Sequence, residues 1–216
     1  MFKFKELLKI VLGIIMLVFV ININNLFQSQ ISQTLLITAL ISATIIVFIN
    51  LFAKKITAYS YHSNIEVSIW NIERYGLSEG QHFKKPIPAG IIIPFIISLL
   101  SYGYFMWMAL FEFDVNPSSS RTSRKHDIYK FSEMTDFDIG MIAAAGVIAN
   151  LIAAIIGYIL GFPDFARWSI YFAAFSLVPI SKLDGTKIFF ATRNLVLWII
   201  LSVITLIALG YAFLMP

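Results

Sequence analysis

Residues 176–185 read Ser-Leu-Val-Pro-Ile-Ser-Lys-Leu-Asp-Gly. The stretch lies in a largely apolar run from Trp168 to Phe190, and it places the carboxylate of Asp184 inside that run. An ionisable group in hydrocarbon is expensive, so it marks a functional position by default. The run is one of six hydrophobic segments, near residues 7–27, 31–52, 87–113, 137–161, 166–190 and 194–215. Each approaches or exceeds the roughly 20 residues that cross a bilayer. Two polar stretches, 53–86 and 114–136, separate them.

Composition agrees with this reading. Of 216 residues, 59% are hydrophobic and 13% are charged. A soluble domain carries about 25% charged residues. The expected class is therefore an all-α polytopic membrane protein, a single membrane domain of five or six transmembrane segments. Cysteine is absent, which excludes disulfides, thiolate metal sites and a cysteine nucleophile. No soluble basic domain is present to bind nucleic acid. The lipid bilayer is the expected environment. Lys3, Lys5 and Lys9 precede the first apolar run, and Asn22, Asn24, Asn25 and Gln28 follow it, with no small-residue cleavage site. That pattern suits a retained span better than a signal peptide.

Lysine and arginine orient the segments. If all six cross, nine of the sixteen basic residues fall on one side and seven on the other. If 87–113 enters and returns on the same side, only Arg167 is left on the opposite side. The second arrangement fits the positive-inside rule and puts the N-terminus in the cytoplasm. Pro88, Gly90, Pro94 and Gly103 suit a re-entrant backbone; the length of the segment suits an ordinary kinked span. Both forms remain open. In the re-entrant form Asn50 and Asp184 lie at similar depth. The alternation Ile65-Glu66-Val67-Ser68-Ile69 predicts a short strand at the membrane surface.

The motif around Pro179, Leu183, Asp184 and Gly185 resembles the Asn-x-x-Pro-x-x-x-Leu-Asp-Gly signature of the site-2 protease family of intramembrane zinc proteases. Ala145-Gly146-Val147-Ile148-Ala149-Asn150 is similar to the family's Ala-Gly-Pro-x-x-Asn, with Val147 at the usual proline. Glu66 and Trp70 resemble a Glu-x-x-x-Trp element of archaeal-type members. The resemblance covers roughly residues 45–192. It implies a site-2-protease-like core formed by the second, fourth and fifth segments, with Asp184 as third zinc ligand. It also implies a His-Glu-x-x-His helix, which this sequence lacks.

Anchored on Glu66 and Trp70, that register falls on Asn50-Leu51-Phe52-Ala53-Lys54. Asn50 then replaces the first ligand, Leu51 the general base and Lys54 the second ligand. Ser176 replaces the carbonyl-binding asparagine. Catalytic zinc takes three protein ligands and an open position; asparagine is a poor ligand and a protonated lysine has no lone pair. The resemblance thus implies a catalytically inactive relative, with no cofactor, that holds a membrane protein partner in the former substrate groove. Two alternatives stand beside it. One is an active zinc protease with a displaced site, rebuilt from His62, His82 and Asp184. The other is a structural subunit of a larger membrane complex.

Three further expectations follow. Asp184 needs a counter-charge, since pairing is the usual solution for a buried carboxylate. Lys54 and Lys182 are the candidates; alternatively, Lys54 snorkels to the surface. Asn150 is expected to hydrogen-bond between helices, and Gly146 to allow close helix approach. The cluster Arg121, Arg124, Lys125 and Lys130 reads as topological, and His126 as a surface histidine. The place of the chain is an integral membrane protein of a prokaryotic cell membrane.

Overall fold

The computed structural model describes residues 3–29, 32–74, 82–117, 134–191 and 195–214. The expected basic cluster at 121–130, with His126, lies outside them. Seven helices are described: α1 (Phe4–Phe27), α2 (Gln33–Ser60), α3 (Ala89–Leu100), α4 (Asp136–Ile159), α5 (Pro163–Ser176), α6 (Asp184–Ala191) and α7 (Val196–Leu214). Four strands accompany them: β1 (Ser63–Ile69), β2 (Ile72–Arg74), β3 (His82–Ile87) and β4 (Phe111–Pro117). Four of the helices, α1, α2, α4 and α7, are long and apolar enough to cross a membrane.

The core is helical. Helix α4 packs on α2 and α5, and α1 packs on α2. Small residues on α4 permit the close approach, with Ala143, Ala144 and Gly146 all buried. Apolar side chains also cover much of the outside: Leu8, Ile15, Ile37, Ile41, Ile155, Ile207 and Phe213 are exposed. An apolar core beneath an apolar exterior is the pattern expected of helices in lipid.

The chain is mostly helical, and the short strand expected at 65–69 is part of a small sheet. β1 pairs antiparallel with β4, from Ser63 opposite Pro117 to Ile69 opposite Phe111. β2 and β3 form a second antiparallel pair. The alternating piece is longer than the sequence reading made it, and it is not confined to the surface: Ser63, Ile65, Val67 and Ile69 are buried. Its partner strand lies at the end of the apolar segment 87–113, where aromatic residues disguised it as helix.

That segment is not one helix. α3 has 12 residues, which at 1.5 Å per residue covers about 18 Å. It ends at a left-handed turn, Tyr102 and Gly103 at φ 52° and 79°. The chain then returns. Trp70 N–H donates to the Leu110 carbonyl at 2.8 Å, and Gly90 N–H donates to the Trp70 carbonyl at 2.9 Å. The start and the end of the excursion therefore meet at one residue. On the way out, Phe95 stacks on Phe19 and Tyr102 packs on Phe27 of α1. On the way back, Phe105 and Trp107 pack on Phe175 of α5. The hairpin is a wedge between these helices.

Two other boundaries differ. α2 continues to Ser60, so Lys54 is helical and does not belong to the polar loop. The expected span 166–190 is interrupted: α5 ends at Ser176, Ser181 takes a left-handed conformation, and α6 begins at Asp184. Pro179 has no N–H with which to continue a helix.

The meeting point at Gly90 leaves no room for a side chain. A Cβ there would lie 2.2 Å from the Leu110 carbonyl oxygen. Gly90→Ala is expected to cost about 1–3 kcal/mol, the usual range for overpacking. Gly210→Ala, where a Cβ meets open space, should leave the thermal midpoint in detergent unchanged or slightly higher. Equal midpoints for the two variants would contradict the closed hairpin.

Candidate functional site

The site is built where α2, α4 and α6 converge. Lys54 on α2 and Asp184, the first residue of α6, form an ion pair with Nζ–Oδ2 at 2.6 Å. Both side chains are 3% exposed. Asp184 also sits in the first turn of α6, where the helix dipole favours negative charge. The Lys54 ammonium lies 5.1 Å from the centre of the Phe113 ring, within cation–π range.

Two glycines make the pair sterically possible. A Cβ on Gly146 of α4 would lie 2.5 Å from Lys54 Cε and 2.7 Å from Asn50 Nδ2. A Cβ on Gly185 would lie 1.9 Å from the Leu177 carbonyl oxygen. That carbonyl also accepts from the Trp198 indole N–H at 3.1 Å. The bend 177–183 is thus closed on one side by Gly185 and on the other by α7. Leu183, the last residue of the bend, and Leu51 on α2 are both fully buried.

Of the positions singled out in the sequence, Asn50, Lys54, Gly146, Asp184 and Gly185 belong to this convergence, whereas Leu51 lies in the main apolar core and Leu183 in a smaller cluster with Trp70. Ser176 is buried at the end of α5. Pro179 lies in the bend between α5 and α6. Lys182, the rival partner of Asp184, faces the other way and pairs with Glu73 at 2.7 Å. Asn150 joins helices through its backbone: its carbonyl accepts from the Ser169 hydroxyl at 2.9 Å. Its side-chain amide has no hydrogen-bond partner among the described residues. His62 is exposed, and the side chains of His82 and His126 lie outside the described residues.

Sequence reasoning missed Lys187 and Glu6. Lys187 lies one turn after Asp184, sits 3.5 Å from the Phe113 ring centre, and donates to the Phe113 carbonyl. It was visible as a third charged residue, after Lys182 and Asp184, within the same apolar run. Glu6, at the start of α1, is 6% exposed. One of its carboxylate oxygens accepts from Val67 N–H of β1, and the other from Lys3 N–H, both at 2.9 Å.

The donor set does not suit zinc. Lys54 fills the space beside Asp184 as a cation. Asn50 Nδ2, a donor with no partner among the described residues, also faces this convergence. Among the described residues no three His, Cys, Asp or Glu side chains group together. Among the described residues Asp184 is the one anionic donor at the convergence, whereas catalytic zinc takes three protein ligands.

No family model, curated protein or solved structure matches the chain.

Gly185→Ala forces a backbone collision at the bend and should lower the thermal midpoint by several degrees, corresponding to about 1–3 kcal/mol. Lys182→Ala breaks only a half-exposed pair and should change stability by less than about 1 kcal/mol. Thermal unfolding of both variants in one detergent checks the ranking. A larger loss for Lys182→Ala would mean that the exposed pair, and not the bend, holds α6 in place.

Proposed function

We propose that this chain is a polytopic membrane protein of the site-2 protease type that has given up catalysis and holds a membrane protein partner. The observation that carries the reading is the buried Lys54–Asp184 pair. Asp184 stands at the Leu-Asp-Gly position that gives the family its third metal ligand. Lys54 stands at the register position of the second ligand. An ammonium in direct contact with Asp184 does electrostatically what a cation would do: it offsets the carboxylate inside an apolar bundle. It offers no lone pair to a metal and no open position for water. Leu51, at the position of the general base, is apolar and buried in the core and has no group to take a proton from water.

The partner half of the reading draws on the bend. An open cavity of about 320 Å³ lies beside it, walled by Phe175, Leu177, Val178, Pro179, Trp198 and Leu206. Its lining is almost wholly apolar, which suits an apolar segment of another membrane protein. The charge bias of the sequence puts the N-terminus, the polar end of α2 and the β1–β4 ribbon on the cytoplasmic side of a prokaryotic cell membrane.

Metal analysis of untagged protein tests the catalytic half. Wild type and Asp184→Ala should both lack stoichiometric zinc, and a chelator should leave the thermal midpoint unchanged. About one zinc per chain, lost in Asp184→Ala, would overturn the reading, since that is the content of a working mononuclear site.

A further inference from the structure

We propose that the cavity between the start of α1, the end of α2 and the start of β1 binds the headgroup of a zwitterionic phospholipid with a primary ammonium. The inference rests on the membrane reading above, but not on the loss of catalysis.

The cavity measures about 430 Å³, within the range of small-ligand sites. Its wall differs in kind from that of the other large cavities. Those between α4, α5 and α7 and between α2 and α4 are lined almost entirely by apolar surface. This one is about half polar, with Lys3, Lys55, Glu6, Glu66, Asn64 and Asn116 around it. Two ammonium groups and two carboxylates give it no net formal charge.

The four charges are not equivalent. Glu6 has both oxygens committed to backbone N–H groups, of Val67 and of Lys3, and Lys55 lies 3.6 Å from it. This inner pair is largely buried, at 20% and 8% exposure. The outer pair, Lys3 and Glu66, is 68% and 46% exposed. Exposed pairs contribute little stability and open readily. A ligand that carries both charges can exchange into the outer pair without leaving any charge unmatched. Its ammonium replaces Lys3 at Glu66, and its phosphate takes Lys3 together with Lys55. A purely anionic headgroup would leave Glu66 uncompensated beside the phosphate. A trimethylammonium headgroup has no N–H to donate to Glu66 or to the amide oxygens of Asn64 and Asn116.

The surroundings supply the other half of an amphipathic site. The two helices that supply Lys3, Glu6 and Lys55 also carry exposed apolar residues, among them Phe4, Leu8, Val11 and Ile15 on α1 and Phe52 and Ile56 on α2. Acyl chains lie against such faces while the headgroup sits at the polar ends of the helices.

The test uses the full chain in nanodiscs containing equal parts phosphatidylethanolamine, phosphatidylcholine and phosphatidylglycerol. The lipid retained after extraction into mild detergent is then counted by native mass spectrometry. Wild type should retain about one phosphatidylethanolamine per chain, as a single site requires. Glu66→Gln should reduce retention roughly tenfold, the effect of losing one charge-assisted hydrogen bond. Glu66→Lys should shift the preference to phosphatidylglycerol, a change that loss of fold would not produce. Equal retention of the three lipids, preference for phosphatidylglycerol in wild type, or a Glu66→Lys profile identical to wild type would each overturn the proposal. Recovery of the chain in the soluble fraction, before any lipid is counted, would overturn the membrane reading itself.

Discussion

Two opposite charges separated by 130 positions in the chain meet inside an apolar helical bundle. Neither Lys54 nor Asp184 is tolerable there alone. Moving an isolated ion from water into a protein interior costs several kcal/mol even after relaxation. The 2.6 Å contact over the Phe113 ring offsets part of that cost, while the other carboxylate oxygen, Asp184 Oδ1, is buried with no hydrogen-bond partner among the described residues. Such a pair is weak evidence for added stability. What it provides here is a constraint on arrangement: α2 and α6 have to approach until the charges touch, and α4 has to present a glycine to let them.

The same logic extends to the β1–β4 ribbon. Trp70 and Leu110 are bonded across the ladder, and bonded pairs alternate in an antiparallel pair. Val67 and Phe113, which lie opposite one another, therefore turn their backbone groups outward. Glu6 accepts the Val67 N–H on one edge, and Lys187 donates to the Phe113 carbonyl on the other. Each edge of the ribbon is met by a charged side chain from a helix at the same register position. Exposed strand edges invite further pairing, and here the helices answer them. Lys187 lies one turn from Asp184 on α6, so the ribbon and the ion pair are parts of one construction.

How much of this was legible in the sequence depends on the kind of signal. Asp184 and Gly185 stood out because a carboxylate in an apolar run has few ordinary explanations. Lys54 was reached only through an alignment register, and its contact with Asp184 could not be separated from that of Lys182. The distinction rests on where Glu73 lies, and no local pattern records that. The strand at 111–117 was hidden because its first residues continue the apolar run that begins with α3, and hydropathy alone merges helix, turn and strand into one segment. The break after Ser176 was hidden for the converse reason: the residues on both sides are apolar, and only Pro179 marked it. Small residues were the more reliable guide. Gly146 and Gly185 both lie where a Cβ would strike a neighbour within 2.5 Å.

A double-mutant cycle on the central pair is the most direct test. Lys54→Met and Asp184→Leu, made singly and together, should each be measured by reversible unfolding in the same detergent. Each single variant strands one buried charge and should lose about 3–5 kcal/mol, while the double variant should recover most of that loss. Additive losses, with no coupling between the two positions, would contradict the account and remove the pair from the centre of the fold.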